Sequence, residues 1–345
     1  MTATPLRVGF LGAGLIATYH SKMLRACGTQ IVRAGVFDPH TERAHAFAAA
    51  SGHQVMCSEA EVIEQCDAVY ICTWTSEHQR QLQLAAEAAR HVFCEKPLAF
   101  TTEHAQAMAE MADAAGITHQ VGLVLRHAPS FLWAHHLIHD DAAGRVMNVV
   151  FRDDQFIPIQ GHYDSTWRAD RAKVGAGTLI EHSIHDVDML RFLVGEVASV
   201  SAHTANFHGY DGIEDVATAV LRFENGAAGT LNSVWHDNLA RPSLRRVEIF
   251  CERRHVVIDG HDWFGPVSWT DADGGHHSLE GGALEEAVHP LRLGATNNPD
   301  VEFIRAAREG RSAAPDLHTA VEAHRIVDAM YASAAAGGTS VSVGR

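Results

Sequence analysis

A chain of 345 residues in which 46% of side chains are hydrophobic has material for two hydrophobic cores, so length and composition predict a globular protein of two domains. Its 27 basic against 42 acidic side chains leave a net charge of −15, which repels phosphate backbones and anionic lipid and argues against nucleic-acid or membrane partners. Six scattered cysteines with no C-x-x-C pair predict reduced thiols in a cytoplasmic protein, and the glycine-broken start, far shorter than the ~20 apolar residues of a membrane span, predicts no export or anchoring signal.

Up to about residue 122, strands and helices alternate. LRVGFLG, QIVRAGVFD, DAVYICT, HVFCEKP and ITHQVGL are almost continuously hydrophobic, as strands buried on both faces must be. Between them helices have readable starts. Ser58 with Glu61 forms a capping box, and Thr101 and Thr102 are N-cap candidates before EHAQAMAEMADAAG, which stops at Gly116. The alternation predicts an α/β domain over 1–122 with a doubly wound parallel sheet.

From 123 to 345 the pattern changes to that of an α+β domain. A helix around PSFLWAHHLI is followed by strand-like runs: RVMNVVFRDD, ASVSAHTANF, EDVATAVLRF, AAGTLNSVWH, RRVEIFCE and RHVVIDG. Asn225-Gly226 between two of them is a hairpin signal, so this open sheet is predicted to be largely antiparallel. The glycine-rich stretch 271–297 reads as a loop, and helices near 299–309 and 316–335 close the chain.

Three stretches carry candidate chemistry. In GFLGAGLIATYH, Gly12, Gly14 and Ala17 form G-x-G-x-x-A, with Leu15 and Ile16 opening the helix. This is the turn on which a pyrophosphate sits against free N–H groups in a Rossmann fold. Asp38 ends the next strand, where an acid accepts from an adenosine ribose and repels a 2′-phosphate, which favours NAD over NADP. Glu95 and Lys96, in HVFCEKPLAF, fall beyond the carboxyl end of the fifth strand, at the edge where open parallel sheets bind ligands.

The third stretch is GTLIEHSIHDVDML. Read as one helix, it gives Ile180, Ile184, Val187, Leu190 and Val194 as an apolar stripe and places Glu181, His185 and Asp188 on a second face. His182 and Asp186 lie on another flank. A zinc site needs three or four ligands and the spacing supplies no third, so no metal is predicted. His182 and the group His135, His136 and His139 read as bystanders.

GAGLIA, CEKP and GAGTLIEHSIHDVDMLRFLVG, in that order and at those separations, resemble the Gfo/Idh/MocA family of nicotinamide-dependent sugar and cyclitol dehydrogenases across almost the whole chain. The resemblance implies that Lys96 and His185 are the catalytic groups, with Glu181 paired to the histidine at a position where the family usually has aspartate. It implies cofactor contacts from Thr73 and His78 in CTWTSEH. It also nominates Arg126, Trp167 and Arg168, together with His185, on the substrate side, and a homodimer or homotetramer formed through the C-terminal sheet.

The implied reaction passes a hydride between a secondary alcohol of a sugar, cyclitol or related polyol and NAD. A neutral imidazole suits removal of the hydroxyl proton, an acid orients it, and a cationic lysine stabilises the developing alkoxide. An NAD-recycling glycoside hydrolase or epimerase would need the same residues, and a non-catalytic NAD-binding sensor would need neither Lys96 nor His185.

Overall fold

The computed structural model describes residues 4–161, 163, 165–260, 265–292 and 297–344. The first unit begins with β1 (Leu6–Leu11), α1 (Leu15–Met23), β2 (Ile31–Phe37), α2 (Thr41–Ser51), β3 (Gln54–Val55) and α3 (Glu59–Gln65). It continues through β4 (Ala68–Ile71), α4 (Thr75–Glu87), β5 (His91–Cys94), α5 (Thr102–Ala114) and β6 (His119–Val121). The strands form one parallel sheet in the order β3-β2-β1-β4-β5-β6, so the winding reverses between β1 and β4. Every residue of β4 is buried, which is why these strands read as unbroken hydrophobic runs. The expected caps are present: the Ser58 hydroxyl accepts from Glu61 N–H at 3.1 Å, and Thr101 rather than Thr102 caps α5.

The second unit contains α6 (Pro129–Ile138), β7 (Val146–Phe156), α7 (Arg171–Val174), α8 (Thr178–Glu181), α9 (Ile184–Val194) and β8 (Val197–Ala205). Then follow β9 (Val216–Phe223), β10 (Ala228–His236), β11 (Leu244–Cys251), β12 (Arg254–Gly260), β13 (Val267–Asp271), β14 (His276–Leu279) and α10 (Gly281–Ala287). After α11 (Pro299–Glu309) and α12 (Leu317–Ala335), β15 (Val341–Ser342) completes a nine-stranded sheet of order β14-β13-β12-β11-β7-β10-β9-β8-β15. Among the described residues its pairs are antiparallel except β7 with β10. Asn225-Gly226 makes the β9–β10 hairpin, with Gly226 at φ +91°.

Two features depart from the sequence reading. The stretch 271–297 is not a bare loop: β14 pairs with β13 from Thr270 to Val267, and α10 follows it. Short polar strands such as HHSL carry no apolar alternation to betray them. Leu293 to Thr296 lie outside the described residues. The chain also crosses between units more than once. It leaves the first unit after Leu123, and residues from 297 to 321, expected in the second domain, return to the first unit, where Phe303 and Ile304 of α11 join the core of Val8, Phe10, Tyr70 and Phe93.

The start of α8 fixes the ground for the site in the second unit. Thr178 N–H donates to the Glu214 carbonyl at 2.8 Å, and the Glu214 carboxylate accepts from Gly177 N–H at 2.8 Å and Leu179 N–H at 3.0 Å. Tyr331 O–H donates to the same carboxylate at 2.8 Å. A Cβ on Gly177 would overlap the Glu214 carbonyl oxygen, so only glycine lets the two backbones approach. Gly177→Ala is therefore expected to lower stability by roughly 3 kcal/mol, the scale of overpacking. Urea denaturation reads it, and an unchanged midpoint would show that the segment yields without cost.

Candidate active site

At the carboxyl edge of the parallel sheet, Gly12, Ala13 and Gly14 link β1 to α1. Gly12 has φ +89°, and a Cβ there would meet the Cys72 carbonyl oxygen at 2.5 Å, so conformation and closeness both demand glycine. A Cβ on Gly14 would meet nothing within 4 Å, and no side chain caps α1. The turn therefore presents helix-end N–H groups beside open space, a fit for a dinucleotide's diphosphate. Ala17 is buried against the sheet, whereas Leu15 is 80% exposed and Ile16 lies beside it on the rim.

Asp38 follows β2 and is buried. Its Oδ2 accepts from Ala13 N–H at 2.9 Å and its Oδ1 from His40 N–H at 2.8 Å, so the carboxylate splints the glycine turn to the end of the second strand. Arg43 Nη1 stands 3.6 Å away. Carboxylate oxygens retain lone pairs after one hydrogen bond each, which suits ribose hydroxyls. Thr73, after β4, donates from its hydroxyl to Gln81 Oε1 at 2.6 Å. His78 lies under the same loops: Nδ1 is 3.1 Å from the Pro97 carbonyl and Nε2 is 3.3 Å from the Thr73 carbonyl. Burial pushes its pKa down, and a neutral ring, with one N–H, can donate to only one of these carbonyls.

Glu95 and Lys96 follow β5 directly, as the sequence places them. The Glu95 carboxylate is buried; Oε1 lies 2.9 Å from His20 Nε2 and Oε2 accepts from Lys96 N–H at 3.3 Å. His20 sits on α1 and carried no signal in the sequence reading, because its partners lie far along the chain.

In the second unit the segment read as one helix is broken. α8 ends at Glu181 and α9 starts at Ile184, with His182 and Ser183 between them. Buried polar contacts cause the break. Ser183 O–H donates to Ser233 Oγ at 2.5 Å, Thr178 Oγ1 is 2.8 Å from the same oxygen, and His182 Nε2 is 2.9 Å from Asp153 Oδ2. Side chains that reach β7 and β10 draw the backbone out of register. Glu181 and His185 therefore do not share a continuous helical face, although both are buried at this bend.

The residues nominated for substrate gather with the acids. Arg168 Nε donates to Glu181 Oε1 at 2.7 Å while its guanidinium stacks over Trp167 at 4.4 Å. Arg126 grips Asp188 through two N–H groups at 2.9 and 2.7 Å, a fork that holds the lower part of α9. The apolar stripe of Ile180, Ile184, Val187, Leu190 and Val194 is buried as expected.

His182 is no bystander. With Asp153 and Asp186 it brings three possible ligand atoms within 4.8 Å of one another. Spacing along the helix could not reveal the third member, since Asp153 belongs to β7. Arg245 lies among them, with Nε donating to Asp186 Oδ1 at 3.2 Å and Nη2 paired to Asp153. The guanidinium supplies the positive charge these carboxylates require. Burial and the neighbouring Asp153 push Asp186 well above the usual carboxylate range, whereas Arg245 and His182 overcome burial to hold Asp153 low. His135 on α6 and His139 at its C-terminal cap stack at 4.0 Å, in a different part of the unit.

Against known proteins, residues 6–123 match an oxidoreductase family with an NAD-binding Rossmann fold, and residues 131–257 match the GFO/IDH/MocA C-terminal domain. The chain is 33% identical over 239 residues to scyllo-inositol 2-dehydrogenase (NAD(+)) of Bacillus subtilis (strain 168), covering 66% of this chain and 67% of that one. It is 28% identical over 341 residues to inositol 2-dehydrogenase of Rhizobium meliloti (strain 1021), covering 96% and 97%. Among solved structures it is similar to levoglucosan dehydrogenase in complex with NADH and levoglucosan, with a TM-score of 0.88, 25% identity, and coverage of 99% and 100%.

Asp38 generates a test of cofactor choice. Replacing it with serine beside Pro39→Arg removes the ribose acceptor and adds a cation for a 2′-phosphate, and is expected to shift the ratio of Kd values toward NADP. Fluorescence titration of both dinucleotides reads the ratio. Tighter binding of NADP by the native chain would overturn the role of Asp38.

Proposed function

The chain belongs to the GFO/IDH/MocA family of oxidoreductases, and on that premise we propose that it oxidises a secondary alcohol of a sugar, cyclitol or related polyol with NAD as acceptor. The observation that carries this reading is the place of Lys96, directly after β5 at the carboxyl edge of the parallel sheet, where such sheets bind their ligands. The Gly12–Gly14 turn and Asp38 would hold the diphosphate and adenosine ribose. The family's named relatives point to the substrate class, an inositol for two and levoglucosan for the third.

NAD, when bound, supplies the acceptor for the hydride that leaves the carbinol carbon. The rest falls to side chains. In this proposal His185 takes the hydroxyl proton, and Lys96 hydrogen-bonds the same oxygen and stabilises the charge that develops on it. Glu181 orients the imidazole and favours its charged form. Its own carboxylate is fixed by Arg168, which reaches it from the turn before α7. The longer glutamate, where aspartate is usual, fits a bend rather than an unbroken helix between the acid and the histidine. Reduction of the ketone uses the same groups in reverse.

We further infer that copies of the chain associate through the outward face of the nine-stranded sheet, as a dimer or tetramer. Val220, Thr230 and Val150 stand in one row across β9, β10 and β7, and the two valines are exposed. No helix among the described residues is long and apolar enough to cross a membrane.

Two measurements test the chemistry, both following the NADH absorbance band with inositols and anhydro sugars. Lys96→Met is expected to bind NAD with nearly native Kd and to lose about 100-fold or more in kcat, as when a preorganised donor to developing charge is removed. A Met variant with native turnover would take Lys96 out of the mechanism. A double-mutant cycle on kcat/KM with Glu181→Gln and His185→Asn is expected to be strongly non-additive, the double variant costing little more than His185→Asn. Additive losses would return Glu181 to a purely structural partner of Arg168.

A further inference from the structure

We propose that His20 is a positioning residue for the reaction: held between Glu95 and Asp300, it fixes the Glu95 carboxylate and, through it, the backbone that carries Lys96. The proposal rests on the functional reading of Lys96 given above. His20 lies on α1, wholly buried, in a place the glycine turn itself does not need.

The geometry speaks for a doubly protonated ring. Nε2 lies 2.9 Å from Glu95 Oε1 and Nδ1 lies 2.8 Å from Asp300 Oδ1. A neutral imidazole has one N–H and one lone pair, so it can serve only one ionised carboxylate, whereas imidazolium donates to both. Phe93 packs on the ring at 4.7 Å between centroids, with Tyr70 and Tyr19 each at 5.6 Å, which leaves no freedom to turn. Glu95 is then caught on three sides: by His20, by the Lys96 N–H at 3.3 Å, and by the backbone of Gly122, where any Cβ would collide with the carboxylate.

The other titratable groups around the ring carry no charge near neutral pH. Burial pushes Tyr70 on β4, Cys72 just after it and Cys94 on β5 well above their usual values, and Cys27, in the turn after α1, up to about 12. Tyr19 is likewise raised by burial. The side chains that hydrogen-bond the ring are thus the carboxylates of Glu95 and Asp300. Burial alone would lower the pKa of His20; Asp300 and Glu95 outweigh it and raise the ring to about 10. Because the folded value is raised, the ion pairs are complete at neutral pH and are lost only as pH rises through about 10.

Two variants and two readouts test this. Asp300→Asn keeps an oxygen acceptor for Nδ1 but removes one negative charge, so the ring should lose its proton at lower pH and the basic limb of kcat should move down, with KM for the polyol unchanged. His20→Gln should lower kcat about 100-fold while NAD Kd stays within about threefold, the pattern of a reacting group displaced rather than a binding site lost. The second readout needs no turnover. The chain has three lysines, Lys22, Lys96 and Lys173, so reductive 13C-methylation gives three side-chain signals, and Lys96→Met assigns one of them. In folded His20→Gln the Lys96 signal should shift while the other two stay. An unmoved Lys96 signal, or an unmoved basic limb in Asp300→Asn, overturns the proposal. A shifted signal in a chain that oxidises no polyol supports the positioning and overturns the functional reading instead.

Discussion

A carboxylate withdrawn from water costs several kcal/mol unless a cation or a set of donors meets it. The chemistry of this protein is built on buried acids, and the architecture around them is the set of answers to that demand. Asp38 is answered by backbone N–H groups, Glu95 and Asp300 by one imidazole, Glu181 and Asp188 by separate guanidinium groups, and Glu214 by the first residues of α8 and a tyrosine. Each answer ties a loop or helix end to a distant element. The anchoring therefore serves twice, once to make burial tolerable and once to fix the places where the chain would otherwise be loosest.

Asp153 and Asp186 show the limit of the scheme. Two carboxylates share one guanidinium, and burial beside Asp153 pushes Asp186 well above the usual carboxylate range. His182, on the far side of Asp153, closes the group. Through these contacts the bend between α8 and α9 is tied to β7 by His182 and to β11 by Arg245.

What could be read from the sequence followed from periodicity and local chemistry. The parallel sheet was legible because both of its faces are covered, so each strand is one hydrophobic run, and the caps at Ser58 and Thr101 need only residues three apart. The places of the Gly12 turn, Asp38 and Glu95-Lys96 were legible because they lie directly after the ends of those strands. The bend at His182 and Ser183 was not. Its cause lies in Asp153 and Ser233, on strands far away in sequence, and a 3.6-residue repeat running through the apolar stripe continues as if nothing intervened. For the same reason His20 was silent, since Asp300 lies 280 positions away. β14 escaped because an exposed polar strand has no alternation to show.

The return of residues 297–321 to the first unit bears on how such a chain can be recombined. β6 depends on that return, as Val121 N–H donates to the Pro315 carbonyl at 3.0 Å, and so does the pairing of His20 with Asp300. A crossover at residue 122 that swaps only the leading segment between two relatives would transplant a histidine with one of its two carboxylates and an edge strand short of an acceptor. The second unit is split in the same way, since the chain from Glu322 onward returns to it and Tyr331 O–H donates to the Glu214 carboxylate at 2.8 Å. Each unit is thus assembled from two stretches of chain that must be inherited as matched pieces.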